Sequence, residues 1–365
     1  VTFLAFAQNE QLAANYFEKG DFEKALVSYE ELLSKQPGNS NYFQRTVECY
    51  QQLSQFEKSQ FLIEQRLDKY KQPNLFIELG YNYQLQKDEK NATINYEKAI
   101  AKINENPANV YGIAITFEKK SLLDYALQSY TLAFSLEPKY SFNQQMAVLY
   151  GQQGKVDLMI QKFLDEGEKN PQSTIFIQNY LSRFMSDESE ESFAESLRKA
   201  LILKIQKSQD VYWNQFLSWF YVQEKQYGKA FIQEKAIYKR NPESFSNIVS
   251  LAELAIEENQ DEAAVSIITF VLENTQDIDL QVFAHSFLIK HRIAKATVKD
   301  YPSIQMDLDI LLKKFGVSPF TILLQEIQAA FFAFQLNDPE SGKEILKNAL
   351  KFQLNEYQKA ELKIQ

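Results

Sequence analysis

The sequence predicts an all-α chain of about ten helical pairs, and three observations carry that reading. The 365 residues are 45% hydrophobic yet hold only 10 Gly and 9 Pro, too few for the tight turns of an all-β fold. The stretch "YFEKGDFEKALVSYEELLSKQP", Tyr16 to Pro37, reads as helix, a Gly-Asp break, helix and a proline stop. The same frame then returns: Leu12 and Pro37, Ile113 and Pro138, Met146 and Pro171, and Leu217 and Pro242 are each 25 residues apart.

Within each frame the elements follow in a fixed order. A small residue comes first (Ala13, Gly80, Ala114, Ala147, Ser218, Ala252), with an aromatic three positions on (Tyr16, Tyr83, Phe117, Tyr150, Tyr221) except at Ala255. A second small residue follows (Ala25, Ala92, Ala126, Ala230, Ala264), and in several blocks an aromatic four later (Tyr29, Tyr96, Tyr130). Small residues let two helices approach closely and aromatics fill the wedge between them. Gly20-Asp21 is the expected turn, because Gly takes φ > 0 at the end of one helix and Asp caps the start of the next. The proline ends the second helix.

Block starts fall at Phe6, Ser40, Pro73, Pro107, Tyr140, Thr174, Val211 and Phe245, in steps of 34, 33, 34, 33, 34, 37 and 34. This pattern resembles the tetratricopeptide repeat family, whose period is about 34 residues. It is strongest in the opening stretch, in "LGYNYQLQKDEKNATINYEKAI" and in "IAITFEKKSLLDYALQSYTLAFSLEP". The resemblance implies a right-handed α-α superhelix with the first helix of each pair on the concave face, and a non-enzymatic role as a protein-interaction scaffold. Residues 9–278 carry the legible repeats. From Asp279 the motif fades, and two longer pairs divided near "FGVSP" are expected over 279–365. The closing "EYQKAELKIQ" reads as the first half of a further pair, as in a chain truncated at its C-terminus.

Residues 1–8, "VTFLAFAQ", end an apolar run in Ala5-Phe6-Ala7, the small-x-small pattern at which secretory signals are cleaved. The competing reading is the first turn of the first helix. The signal reading predicts a periplasmic protein, within a secretion, outer-membrane assembly or motility complex of the kind served by envelope proteins with this look. A cytoplasmic adaptor or co-chaperone and a glycan- or peptidoglycan-binding module are the alternatives. No stretch approaches the roughly 18 apolar residues that span a bilayer.

Chemistry-bearing motifs are sparse. Cys49 is the single cysteine and sits in an apolar helical pattern, where a buried thiol is expected. His285 and His291 are six apart on a helix and so point to different faces; neither a zinc site nor a histidine-based triad is expected, and no cofactor is implied. "GQQGK", Gly151 to Lys155, lacks the spacing of a phosphate loop and reads as a turn. "SDESEES", Ser186 to Ser192, reads as the acidic start of a second helix. The net charge of -9 and the scatter of Lys and Arg argue against nucleic acid as a partner.

What remains is surface. The family's carboxylate-clamp positions hold Glu10, Ala14, Gln44, Glu48, Ile77 and Tyr81, with Arg45 the nearby cation, so the resemblance does not extend to that clamp. The expected partner-binding residues are Tyr81, Tyr111 and Ile115, then Tyr212 and Trp219, then Phe331 and Phe334. Val222, Ile175, Met185, Val249 and Ile256 are expected to extend the apolar strip around Trp219.

Overall fold

A computed structural model describes residues 2–185, 191–353 and 359–360, with side chains described from Asn9 and, in the second stretch, from Ser192. Twenty α-helices run through the described residues in ten consecutive pairs. The pairs are α1 (Thr2–Glu18) with α2 (Phe22–Lys35), α3 (Ser40–Gln52) with α4 (Phe56–Tyr70), α5 (Leu75–Leu85) with α6 (Glu89–Glu105), α7 (Val110–Lys119) with α8 (Leu123–Leu136), and α9 (Asn143–Gln152) with α10 (Val156–Lys169). Then come α11 (Thr174–Met185) with α12 (Glu191–Lys207), α13 (Val211–Gln223) with α14 (Tyr227–Arg240), α15 (Ser246–Glu257) with α16 (Asp261–Asn274), α17 (Ile278–Lys295) with α18 (Tyr301–Phe315), and α19 (Ile322–Ala330), continued by a π turn at Phe331–Gln335, with α20 (Pro339–Ala349). The chain divides into two compact units, Val1–Leu181 and Ser182–Gln365.

The turn inside each pair follows one rule. Gly20, Ser54, Lys87, Ser121, Gly154, Lys225 and Asn259 all take positive φ, from 50 to 75°. Each lies fourteen residues after its block start. The amide of the next residue donates to the carbonyl five positions back: Asp21 to Tyr16 at 2.9 Å, Gln55 to Tyr50 at 2.8 Å, Asp88 to Tyr83 at 3.0 Å, Leu122 to Phe117 at 2.9 Å. This left-handed stop satisfies carbonyls that the helix end would leave open. Asp21 then caps α2, its carboxylate accepting from the Lys24 amide. The ammonium of Lys24, 2.6 Å from that carboxylate, holds the carboxyl below its usual range. Gly154, inside "GQQGK", is the same turn.

Packing within a pair sets the spacing of the small residues. Ala13 and Ala25, Val47 and Ser59, Ala114 and Ala126, and Ala252 and Ala264 are buried and twelve residues apart. Gly80 and Ala92 keep that spacing and come so close that a Cβ on Gly80 would lie 3.0 Å from the Ala92 carbonyl oxygen. In the tenth pair the equivalent approach joins Ala329 to Gly342, where a Cβ would lie 2.7 Å from the Ala329 carbonyl oxygen. The spacing there is thirteen. The π turn houses the extra residue, and the turn amide of Asp338 reaches six positions back, to the Phe332 carbonyl, at 2.9 Å.

The fading of the motif after Asp279 also has a backbone cause. Between α17 and α18 no described residue takes positive φ; the turn is made by Thr297, whose amide and hydroxyl both donate to the Asp300 carboxylate at 2.9 and 2.8 Å. Gly316, at φ 81°, ends α18 where "FGVSP" was expected to divide the last two pairs. Of "EYQKAELKIQ", all but Lys359 and Ala360 lies outside the described residues, as does Ser186 to Glu190 of "SDESEES".

Candidate functional site

In the first unit the expected binding residues gather on first helices. Tyr111 and Ile115, one turn apart on α7, are 52% and 46% exposed. Tyr111 is fixed from behind, its ring edge-on to Tyr140 at 5.9 Å and to Phe142 at 5.6 Å, while Tyr140 and Phe142 stack at an interplanar angle of 11°. Phe142 is buried and meets Tyr130 of α8 at 4.7 Å. An exposed aromatic backed by a buried one keeps its orientation and loses little rotamer freedom on binding. Ile175, on α11 in the same unit, is also exposed.

Tyr81 is half-buried, and its ring is covered by the Lys120 ammonium at 4.6 Å. That ammonium also pairs with Glu78 at 3.1 Å, both side chains being nearly out of solvent. Glu78 is reached by the amide of Gln44 at 3.4 Å, and Gln44 bonds Glu48, which pairs with Arg45 at 3.0 Å. Three helical pairs are thus tied by one alternating series of charges and amides. Arg45, expected as the lone cation here, is engaged by Glu48 and lies over the Phe17 ring at 4.3 Å. Ile77, assigned to a clamp position, is fully buried and faces the core.

Glu78 and Lys120 escaped sequence reasoning. The available signal was a single acid inside the apolar run "LFIELG", for which burial demands a partner.

In the second unit, Tyr212 and Trp219 meet a common ring. Phe216 is edge-on to Tyr212 at 6.0 Å and to Trp219 at 5.4 Å. Tyr212, Trp219, Val222, Met185 and Val249 are half-buried and Ile256 is exposed. The tryptophan that belongs to the core is Trp213, fully buried against Tyr212 and Phe216. Phe331 corrects the expectation: it is 0% exposed, packed with Leu308, Leu324 and Ile327 and edge-on to Tyr301, so it offers no ring to a partner. The π turn puts Phe334 outward instead, 77% exposed, beside a groove of about 540 Å³ lined by Ala329, Ala333, Gly342 and Leu346.

Nucleophiles and metal ligands are placed as follows. Cys49 is fully buried, and burial pushes its thiol up to about 12. The His285 imidazole is held below its ordinary value by burial and then by Lys314, and its ring lies 5.9 Å from that of Phe315. His291 stacks on Phe287 and sits 3.7 Å from Asp261. Among the described residues no three His, Cys, Asp or Glu side chains converge as metal ligands, and no helix is long and apolar enough to cross a membrane.

Paired helices, steps of 33 and 34 residues and a shared left-handed turn define the architecture. The repeats are of the tetratricopeptide type. No protein-family model matches the sequence, and no curated protein matches it. Among solved structures, Naa15/Naa10 bound to HypK is similar at 12% identity over 95% of this chain and 58% of that one, with a TM-score of 0.30. This chain therefore spans less than two thirds of that one. A tetratricopeptide repeat protein from Parabacteroides merdae is 10% identical over 76% and 96% of the two chains, with a TM-score of 0.26. A thermophilic tetratricopeptide repeat protein from Thermus thermophilus is 16% identical over 49% and 99%, with a TM-score of 0.29. Likenesses this distant decide nothing about function, and the repeat assignment rests on the chain's own helices.

Proposed function

We propose that the chain is a non-enzymatic scaffold that binds protein partners on the exposed faces of its first helices, as part of a periplasmic or outer-membrane-associated complex. The observation that carries the scaffold reading is the Tyr111–Ile115 patch, an exposed aromatic and an aliphatic one turn apart, held in place by Tyr140 and Phe142. Rigid, partly exposed aromatics are the residues that dominate protein interfaces. The location reading is supported by "VTFLAFAQ" alone.

A photo-crosslinking residue placed at Tyr111 in the full-length protein in cells should give discrete adducts. The same residue at Lys98, exposed on the second helix α6, should not. Equal labelling from both positions, or none from Tyr111, overturns the scaffold reading at this patch. A reporter joined after Glu10 in the complete gene tests location separately: activity confined to the cytoplasm overturns the envelope reading and favours the cytoplasmic adaptor.

A further inference from the structure

The Lys and Arg residues that look scattered in the sequence are concentrated on one face of the second unit. Between Ser192 and Arg240 there are nine Lys and Arg against four Asp and Glu, in a chain whose net charge is -9. Most of them lie on α12 (Arg198, Lys199, Lys204, Lys207) and α14 (Lys229, Lys235, Lys239, Arg240). These two helices run in the same direction side by side over α13. Their N-terminal ends border one groove of about 710 Å³, lined by Glu195 and Arg198 from α12, Phe220 from α13, and Lys229 from α14. Toward their C-terminal ends, Arg240 donates to the Gln209 carbonyl just past α12, at 3.1 Å.

Few carboxylates answer these charges. Arg198 and Lys199 share the single carboxylate of Glu195, at 2.7 and 3.3 Å. The ammonium groups of Lys204, Lys229 and Lys235 lie over aromatic rings, those of Trp213, Tyr221 and Phe270. Cations in the last turn of a helix stabilise its dipole, which accounts for Lys204, Lys207, Lys239 and Arg240. It does not account for Arg198, Lys199, Lys229 and Lys235. Two exposed aliphatics stand among the charges, Leu203 on α12 at 53% and Ile232 on α14 at 62%.

We infer that the α12–α14 face is a docking surface for an acidic, amphipathic polypeptide segment of a partner. Charge complementarity selects the sign, and Leu203 and Ile232 select side chains that alternate with the acids. The size follows from what adjoins the face. Next to α14, the pair α15–α16 carries Glu253, Glu257, Glu258, Asp261, Glu262 and Glu273 and not one Lys or Arg. At physiological ionic strength charges act over about 8 Å, so a segment lying along α12 and α14 meets the basic balance alone. An anionic bilayer or a nucleic-acid duplex extends past that edge and meets the acidic pair. This surface is distinct from the Tyr111 patch, which belongs to the first unit, and the two stand or fall separately.

Fluorescence anisotropy on the full chain tests the inference with a fluorescein-labelled peptide of Leu-Glu-Asp repeats as the probe. Binding is expected to saturate, to weaken at least about tenfold in the double variant Lys207→Glu/Lys239→Glu, and to fall as sodium chloride is raised to about 0.3 M. A peptide with Gln and Asn in place of Glu and Asp should not bind. Lys343→Glu/Lys347→Glu on α20 is the control and should bind as the parent does, and circular dichroism confirms that each variant is folded. The inference is overturned if the acidic peptide does not bind, or if Lys207→Glu/Lys239→Glu binds it unchanged. It is also overturned if vesicles containing phosphatidylglycerol, or a DNA duplex, bind the same face more tightly than the peptide.

Discussion

Gly80→Ala puts the packing inside a pair to a quantitative test. A Cβ at that position lies 2.5 and 2.6 Å from two ring carbons of Tyr96 and 3.0 Å from the Ala92 carbonyl oxygen. Ordinary carbon contacts begin near 3.5 Å, so the ring would have to retreat by about 1 Å. It has nowhere to go: Tyr96 is buried, edge-on to Phe117 at 5.6 Å, tilted against Tyr125 at 5.0 Å, and its hydroxyl donates to Gln84 at 2.6 Å. Overpacking of this kind costs about 1–3 kcal/mol, and the better helix propensity of Ala returns about 0.8–1 kcal/mol. The net expectation is a loss of about 1–2 kcal/mol.

Gly112, in the middle of α7, supplies the control, because a Cβ there meets nothing within 4 Å. Gly112→Ala should gain about 0.5–1 kcal/mol, so the two alanine variants should differ by about 2–3 kcal/mol with opposite signs. Urea unfolding of each variant gives the shift in midpoint at constant slope. Since repeat arrays depart from two-state behaviour, hydrogen exchange of the α5 and α6 amides localises the loss. If Gly80→Ala is as stable as Gly112→Ala, the close approach of α5 and α6 is wrong.

Three further outcomes are expected. Lys120→Met leaves Glu78 buried without its cation and should cost about 3–5 kcal/mol, most of which Glu78→Gln should restore in the double variant; equal losses in single and double variants on urea unfolding would refute the pairing. Because burial lowers the folded-state value of His285, the unfolded chain binds more protons just below pH 6.5, so this contribution to stability is complete above about pH 6.5 and is lost as the pH falls toward the folded-state value. His285→Leu should flatten that slope, and an unchanged melting-temperature profile from pH 5 to 7 would count against it. Cys49, with its thiol at about 12, should react with Ellman's reagent at pH 8 only as fast as the chain opens; immediate labelling of the folded protein would contradict its burial.

The sequence displays its repeat wherever side chains carry it. Small residues twelve apart and the aromatic wedge residues exist to be packed against, so their chemistry is constrained and readable. The left-handed turn is different: Ser54, Lys87, Ser121, Lys225 and Asn259 stand where Gly20 and Gly154 advertise the same backbone. A single residue at φ near 55° costs about 1 kcal/mol for L side chains, which the packing of two helices outweighs, so no residue type marks it. Phe331 and Phe334 failed to be told apart for a related reason. Three aromatics in "FFAF" fit an α-helical face equally well, and only the π turn decides which ring goes inward. Lys120 with Glu78, and α12 with α14, join residues some 30 to 40 positions apart in sequence, a relation visible only after stacking.

The thirteenth residue between Ala329 and Gly342 bears on how such an array withstands error. One surplus residue in an α-helix rotates everything after it by about 100°, enough to swing α20 off its partner. Here the rotation is discharged inside one widened turn, Phe331–Gln335, and the helices downstream stay in phase with those upstream. The residue that absorbs the slip is pushed outward, and Phe334 is its visible result. Insertions within first helices can therefore be expected to survive in this architecture as outward side chains, new surface made without redesign of the interior.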